Sequence, residues 1–392
     1  MIDAAATQIP FSPALIGDAE IAAVTEVLKS GWITMGPKTK AFEAAIAGYV
    51  QARHGIALNS CTAALHLAHL ASGIGPGDEV VTTPLTFCAT LNTILHVGAK
   101  PVLADVDPLS LNLSAEGVEK VLTTRTKGIS PVHYAGNPVD MDPLMALARD
   151  RDLVVTDDAA HALGTFYKGR PVGSLADYTA FSFYATKNLA TGEGGMLTTN
   201  HDEAADRIRV LGLHGMSRNA WKRYSGAGSW FYEVEEAGYK YNMADLAAAL
   251  GLAQFARFED MQATRRRYVA RYFEAFKDHP ALELPPIADE ARGDMHAWHL
   301  FMIRVRPEAL TIDRDAFIEA LKELGVQTSV HFIPASYHPV YRRELGLKVG
   351  DFPVAEDSYR RMISLPLSPR LSLEQIEAVC ERVLSVADRY RR

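Results

Sequence analysis

Two segments of the sequence combine an apolar, strand-like run with reactive side chains. Val154–His161 (VVTDDAAH) ends in the carboxylates of Asp157 and Asp158, and a carboxylate buried at a strand end needs a partner or a cation. Ala180–Gly195 (AFSFYATKNLATGEGG) reads as a strand that enters a Gly-rich turn, with Lys187 at the junction. A desolvated lysine shifts toward its neutral form and can act as a nucleophile. A helix-capping carboxylate pair and an ordinary surface lysine are the simpler interpretations.

Two further segments could hold a phosphorylated ligand. Ala57–Ala68 (ALNSCTAALHLA) predicts a strand, a turn of small hydroxyl-bearing residues and a helix, whose first amides and dipole suit an anion. A plain N-cap is the alternative there. Thr82–Thr90 (TTPLTFCAT) places Phe87 just beyond another strand end, as a ligand platform or as core. The absence of GxxxxGK[ST] and GxGxxG disfavours P-loop and dinucleotide sites.

Short β-rich runs alternate with helical stretches from about residue 18 to 270. This alternation predicts crossover connections and a largely parallel sheet, which binds ligands at the carboxyl ends of its strands. A capped amphipathic helix is predicted at Asp18–Ser30, with a stop at Gly31. The other predicted helices are 62–71, 89–97 and 143–150, and the predicted strands are 55–59, 79–83, 101–105, 128–132, 153–157 and 178–183.

A Pro/Asp-rich stretch at 279–288 indicates a domain boundary. We expect residues 1–278 to form an N-terminal segment and a large α/β domain, and residues 279–392 a small α+β domain. The predicted elements of the small domain are a strand at 297–305, a helix at 314–324, a strand at 326–331 and a terminal helix from Ser372. The aromatic-rich segment from Trp221 reads as an irregular excursion before a helix near Met243.

Composition narrows the possible partners. The chain has 392 residues, 48% hydrophobic and 22% charged, with a net charge of −7 that argues against nucleic acid as the main partner. Its three cysteines show no CxxC pair and no metal-ligand spacing, so we expect neither a disulfide framework nor a metal site. We see no secretion signal and no apolar run of the roughly 18 to 20 residues that a membrane span requires. A cytoplasmic location without membrane association is therefore expected.

Taken together, the sequence resembles the DegT/DnrJ/EryC1/StrS family of sugar aminotransferases over nearly its whole length. The segments that carry this resemblance are SGWITMGPK (30–38), GIGPGDEVVTTPLTF (73–87), PVHYAGNPVDMD (131–142), DDAAHALGTFYKGR (157–170), FSFYATKNLATGEGG (181–195), AGYKYNMADLAAALG (237–251) and SLPLSP (364–369). The runs AWHLFMIRV (297–305) and AGYKYN (237–242) are similar to members that make UDP-linked 4-amino-4-deoxy-L-arabinose. The resemblance implies an aspartate-aminotransferase-like fold, that of the fold type I enzymes, with a large domain that binds pyridoxal phosphate (PLP).

The resemblance also implies roles for individual residues. Lys187 matches the lysine that holds PLP as a Schiff base, Asp158 the carboxylate that pairs with the pyridine nitrogen, and His161 a histidine that supports that carboxylate. The remaining matches are to residues that bind the phosphate of the cofactor, stack on its ring or bind the substrate. They are Thr62, Ala63 and Ser182 for the phosphate, Phe87 for stacking on the ring, Asn242 for the phosphate of the neighbouring subunit's cofactor, and Trp32, Thr34, Met35 and His331 for the substrate.

These implied roles describe a ping-pong amino transfer from L-glutamate to a nucleotide-linked 4-keto sugar, UDP-linked by similarity, in aminosugar and lipopolysaccharide biosynthesis. The role of Asn242 implies a homodimer with shared sites. Two alternatives are a sugar dehydratase of the same family, which would carry histidine in place of Lys187, and a regulatory PLP-binding protein. The roles of Glu193, His133, Tyr134 and His214 stay open, as do the identities of the sugar and the nucleotide.

Overall fold

A computed structural model describes residues 8–217 and 232–392. Its central feature is a seven-stranded sheet with the strand order β1-β9-β8-β5-β4-β2-β3. Two further strands of two residues each, β6 and β7, form a separate hairpin. In chain order, these strands are β1 His54–Leu58, β2 Glu79–Thr82, β3 Lys100–Leu103, β4 Thr126–Ser130, β5 Val154–Asp158, β6 Phe166–Tyr167, β7 Arg170–Pro171, β8 Tyr178–Ser182 and β9 Gly195–Thr199.

The sheet is parallel except for β9, which runs antiparallel to both β1 and β8. The carboxyl ends of the six parallel strands therefore meet at one edge. The first residue of β9, Gly195, pairs with Ser182 of β8 and with Leu58 of β1 at that same edge. This arrangement brings together segments that are more than 100 residues apart in the sequence.

The six predicted strands of this sheet are confirmed, each within two residues of its expected bounds. Strand β9 is not among the predicted strands, and its first residue, Gly195, is also the last residue of the Gly-rich segment. All five of its residues are buried, so it lacks the alternation of apolar and polar residues that marks a half-buried strand. Strand β9 lies between β1 and β8. Because of this position, the turn after β8 lies against the start of the helix that follows β1.

Helices cover both the sheet and the C-terminal part of the chain. The predicted helix at Asp18–Ser30 is confirmed, and Gly31 ends it with a φ of 72° in the left-handed region that suits glycine. The helices are α1 Asp18–Ser30, α2 Pro37–Tyr49, α3 Cys61–Ala71, α4 Cys88–His96, α5 Ala115–Glu119, α6 Met141–Asp150, α7 Asp202–Leu211, α8 Asp245–Phe255, α9 Phe258–Phe276, α10 Arg314–Glu323, α11 Pro339–Leu345, α12 Pro353–Arg361 and α13 Leu373–Arg389.

The C-terminal part is a smaller α+β unit built on three antiparallel strands. These are β10 Leu282–Glu283, β11 Phe301–Val305 and β12 Met362–Leu365, in the order β10-β11-β12. The terminal helix is confirmed, with Ser372 as its N-cap. The predicted strand at 326–331 is wrong. Isolated bridges hold that segment instead, one of them between Val326 and Ile9.

Helix α9 contributes buried side chains to the C-terminal core, where Tyr272 and Phe276 lie in one cluster with Phe301 and Phe317. Helix α9 ends at Phe276, before the predicted boundary at residue 278, although it packs into the C-terminal core. The domain boundary therefore stays a prediction. The fold class itself is confirmed as α/β, with a mostly parallel sheet. In the described ranges, no helix is long and apolar enough to cross a membrane. Residues 218–231, which contain much of the aromatic-rich segment from Trp221, lie outside those ranges, as do residues 1–7.

Candidate active site

A cavity of about 470 Å³ opens at the carboxyl edge of the parallel strands. Its volume lies within the usual range of small-molecule sites. The walls come from the segments after β1, β2, β5 and β8, together with a loop from the C-terminal part. The lining residues used below are Ser60, Cys61, Thr62, Thr86, Phe87, Asp158, His161, Ser182, Lys187, Glu193, His299, His331 and Phe332.

Lys187 lies in a tight turn just after β8. Its backbone N–H donates to the carbonyl of Tyr184 at 2.8 Å, which turns the chain back toward β9. Burial lowers the pKa of Lys187 to about 8, while the negative charge of Asp158 opposes this shift. A large fraction of this amine is therefore unprotonated near pH 8, as a nucleophilic lysine requires.

Asp158 is the last residue of β5, and its carboxylate lines the same cavity. Its Oδ2 accepts a 2.7 Å hydrogen bond from the Thr90 hydroxyl, and its Oδ1 accepts a 3.1 Å bond from the Ala160 N–H. Burial raises the pKa of Asp158, whereas these two bonds and the charge on Lys187 lower it. A buried carboxylate with this balance is stabilised further by any cation that enters the cavity.

The expected support of Asp158 by His161 stays a prediction. Among the described residues, the partners of the carboxylate are Thr90 and Ala160, and no hydrogen bond joins it to His161. Because His161 lies beyond the end of β5, its ring packs elsewhere, 4.3 Å from the ring of His299 and 5.6 Å from that of Phe332. Burial lowers the pKa of His161 well below its usual value, so the ring is neutral.

Helix α3 begins at the cavity wall. Ser60 caps it, since its hydroxyl accepts from the Ala63 N–H at 3.1 Å, and the first intrahelical bond is that from Ala64 to the Ser60 carbonyl. The Ala63 amide is thus already used, which differs from its expected role as a phosphate ligand. The amides of Cys61 and Thr62 precede the first intrahelical bond and can serve an anion.

The Gly-rich turn allows two backbone segments to come close together. A Cβ atom on Gly195 would lie 2.3 Å from the Ser60 carbonyl carbon, and one on Gly194 would lie 2.3 Å from the Thr191 hydroxyl. A Cβ atom on Gly192 would meet open space, whereas the backbone approaches closely at Gly194 and Gly195, where the approaching group is the protein's own chain. This contact holds Ser182, at the end of β8, beside the start of α3.

Phe87 presents its ring to the cavity. It is the N-cap residue of α4 and is 59% exposed, so it is not a core residue. Its nearest aromatic neighbour is Phe332, with the ring centroids 6.0 Å apart. An exposed ring at the wall of a deep site is available to stack on a flat ligand.

His331 reaches the cavity from the C-terminal part. Its Nδ1 lies 2.8 Å from the Ser364 hydroxyl, and the ring of Phe11 stacks on it with centroids 5.5 Å apart. Burial and then the charge on Lys187 lower the pKa of His331 to about 4. Tyr134, one of the open residues, is fully buried, and its hydroxyl donates to the His331 carbonyl, so it positions this loop.

The expected substrate residues Trp32 and Met35 do not reach this cavity within the chain. They line a second, larger cavity of about 700 Å³, together with Asn242 and the side chains of α2 and α7. The backbone carbonyl of Thr34 accepts from the Asp245 N–H at 3.1 Å. Asn242 Oδ1 accepts a 2.6 Å bond from Lys240. The two cavities therefore separate Trp32, Met35 and Asn242 from the predicted residues around Lys187, while Thr34 and Ala63 line neither cavity.

The other open residues take different places. His133 is fully buried, with its Nε2 3.3 Å from an Asp157 oxygen and its Nδ1 accepting from the Val139 N–H, so it belongs to the core behind Asp158. Glu193 lies at the cavity wall and is exposed. His214 is exposed, with a φ of 61°, and does not line the Lys187 cavity.

Sequence reasoning missed Thr90, His299 and Phe332. Thr90 and His299 stand inside motifs that the sequence had singled out, but a threonine or a histidine there gives no signal of its own. The side chain of Asn188 holds the His299 ring in place, since Asn188 Oδ1 lies 3.2 Å from His299 Nδ1. Only the folded chain shows such pairings.

A partly buried lysine and a buried aspartate share one cavity at the carboxyl edge of this sheet, the arrangement expected of a PLP enzyme of fold type I. The comparisons with known proteins agree. The chain belongs to the DegT/DnrJ/EryC1/StrS aminotransferase family, whose model matches residues 14–384.

Several relatives are similar over nearly their full length. The spore coat polysaccharide biosynthesis protein SpsC of Bacillus subtilis is 53% identical over 379 residues, which cover 96% of this chain and 97% of that protein. The PMP form of Spr1654 from Streptococcus pneumoniae, assigned to the sugar aminotransferases, has a TM-score of 0.91 at 35% identity, covering 97% of this chain and 99% of the other.

A third relative is the Helicobacter pylori aminotransferase PseC, which is involved in the biosynthesis of pseudoaminic acid. It has a TM-score of 0.90 at 28% identity and covers 98% of this chain and 100% of its own. The family and the structural neighbours are aminotransferases with PLP and PMP forms, which confirms the cofactor expected from the sequence.

Proposed function

We propose that this PLP-dependent aminotransferase transfers the amino group of L-glutamate to a nucleotide-linked keto sugar, with a UDP-linked 4-keto sugar as the preferred acceptor. The observation that carries the proposal is the pair of partly buried Lys187 and buried Asp158 on the wall of one cavity. Both residue roles are carried over from the family motifs and are proposals for this chain.

The residues around the cavity fit the cofactor. His161 Nδ1 is a buried nitrogen without a partner among the described residues, and Phe87 offers an open aromatic face. The hydroxyls of Thr62 and Ser182 and the start of α3 are placed to bind a phosphate. Among the described lining residues, Lys187 is the only lysine or arginine, so hydrogen bonds hold the phosphate within one chain.

Each catalytic group then has one task. PLP, when bound, supplies an electron sink for the charge left at the substrate carbon when its proton departs. Asp158, held ionised, favours the protonated ring nitrogen. With the cofactor bound, Lys187 would hold it through Nζ, and the amine, once freed, would accept and return the proton of the substrate carbon. Because Lys187 is a lysine rather than a histidine, amino transfer is favoured over dehydration.

The sugar substrate is supported by the relatives. SpsC is named for polysaccharide biosynthesis and PseC for the biosynthesis of an amino sugar acid. The UDP linkage, the 4-keto position, the glutamate donor and a role in lipopolysaccharide are supported by motif similarity. A cytoplasmic location is proposed because the three scattered cysteines form no disulfide framework.

A homodimer with shared sites is the proposed assembly. Asn242, Trp32 and Met35 line a cavity that does not contain Lys187 of the same chain. In this proposal, these three residues line the Lys187 cavity of the other protomer. The exposed apolar side chains near α1, Ile21, Leu28 and Ile33, favour burial of this face in the dimer.

The function is tested with the purified protein loaded with PLP. L-glutamate should convert the absorbance of bound PLP to that of the PMP form, and a panel of nucleotide-linked 4-keto and 3-keto sugars should restore it. The product mass should show the carbonyl oxygen replaced by an amino group. Loss of water without a gain of nitrogen would instead indicate dehydration, and no conversion by any amino donor would end the proposal.

A further inference from the structure

Two threonine hydroxyls form a chain behind Asp158. The Oγ1 atoms of Thr86 and Thr90 lie 2.8 Å apart, and Thr90 Oγ1 lies 2.7 Å from Asp158 Oδ2. Thr90 is fully buried in the first turn of α4, whereas Thr86 lines the cavity just before this helix. The cavity, the two hydroxyls and the carboxylate thus form one connected polar path.

The direction of this chain follows from its protons. A hydroxyl has a single proton to donate, and an ionised carboxylate can only accept. Thr90 must therefore donate to an ionised Asp158, and its oxygen then accepts the proton of Thr86. The two carboxylate oxygens are held separately, because Oδ1 accepts from the Ala160 N–H. The remaining lone pairs are left for a ligand in the cavity.

We propose that Thr90 is a positioning residue that, with Thr86 behind it, holds Asp158 ionised and aimed at the nitrogen of a bound pyridine ring. This inference rests on the proposed cofactor role of Asp158. The cost of burying this carboxylate makes such support necessary, since burial is the largest influence on the Asp158 pKa and the Thr90 bond is the largest one that opposes it.

A merely structural role for Thr90 is the competing interpretation. Its hydroxyl also lies 3.3 Å from the Phe87 carbonyl, as in an ordinary helix start. Thr93 provides a matched control: it is a buried threonine of the same helix whose hydroxyl donates to the Thr90 carbonyl at 3.1 Å. Removal of the Thr93 hydroxyl therefore disturbs α4 without removing the donor to Asp158.

The test compares Thr90→Val, Thr90→Ser and Thr93→Val, each loaded with PLP labelled with ¹⁵N in its ring. The readouts are the ¹⁵N chemical shift of the ring nitrogen against pH and the PLP dissociation constant. In Thr90→Val, the ring nitrogen should lose its proton about one pH unit lower than in the wild type, and PLP should bind about tenfold more weakly, as expected for one lost bond to a charged group. Thr90→Ser and Thr93→Val should follow the wild type.

An unchanged ring titration in folded Thr90→Val, or an equal shift in Thr93→Val, would overturn the inference. If Thr90→Val does not fold, Thr86→Val replaces it, and a smaller shift in the same direction is expected; an unchanged titration there also overturns the inference. Failure of the wild-type protein to attach PLP at Lys187 would instead contradict the proposed function itself.

Discussion

Lys187 and Asp158 lie on the wall of one cavity, and each shifts the pKa of the other toward its charged form. Burial opposes both charges and is the larger effect for each. The protein alone therefore solvates the charges of Lys187 and Asp158 poorly. A ligand that bonds to the amine and offers a cationic ring nitrogen to the carboxylate relieves both costs, which is why this pair favours PLP.

The stability of the protein without PLP should depend on Lys187 at high pH. Its folded pKa, about 8, is below its ordinary value of 10.5, so the unfolded chain binds the extra proton between these values. The free energy of unfolding should therefore rise with pH across this window, by about 3 kcal/mol in total. Chemical denaturation of the wild type and Lys187→Met at pH 7.5 and 10 measures this rise, which the variant should lack. Equal pH dependence in both would contradict the lowered pKa.

Asp158→Asn should weaken amino transfer by about a hundredfold or more, since the charge that favours the protonated ring nitrogen is lost. The rate of PLP conversion by L-glutamate measures this in a single half-reaction. Asp158→Glu keeps the charge but displaces it, and should fall between the wild type and the asparagine variant. An asparagine variant as fast as the wild type would remove Asp158 from the mechanism.

Phe87 should contribute to cofactor binding through its ring. Phe87→Ala should raise the PLP dissociation constant about tenfold, because a stacked aromatic contact and its apolar area are lost. Phe87→Tyr retains the ring and is the control that should bind PLP as the wild type does. Equal affinities in the alanine and tyrosine variants would show that the ring does not contact the cofactor.

His331 should act on the substrate and not on the cofactor. His331→Ala is expected to raise the KM for the keto sugar about tenfold and to leave the PLP dissociation constant unchanged. Because burial lowers its pKa to about 4, its contribution should be constant from pH 6 to pH 8. A KM that changes with pH in the wild type, but not in the variant, within this range would contradict a neutral His331.

The shared site can be tested by mixing two inactive proteins. Lys187→Ala and Asn242→Ala each damage both sites of a homodimer, but a mixed dimer places both damaged residues in one site and leaves the other intact. Random reassortment of equal amounts should restore about a quarter of the wild-type activity. A mixture that stays inactive while its subunits exchange would place Asn242 in the site of its own chain.

The sequence predicted the parallel strands and the residues at their carboxyl ends, because apolar runs, glycines and reactive side chains are local signals. It did not predict β9, whose five buried residues show no alternation, and it wrongly predicted a strand at 326–331, where only isolated bridges form. The neighbours of Asp158 also escaped prediction. The bond from Thr90 to Asp158 depends on how close the start of α4 lies to the end of β5 in the folded chain, which no spacing within either segment reveals.

The most direct test of the account is to find where PLP is attached. The loaded protein is reduced with borohydride, digested and analysed by mass spectrometry. A pyridoxyl group on the peptide that contains Lys187, absent when L-glutamate is added first, is the predicted result. Attachment to another lysine, or a stable complex with no attachment at all, would contradict the account.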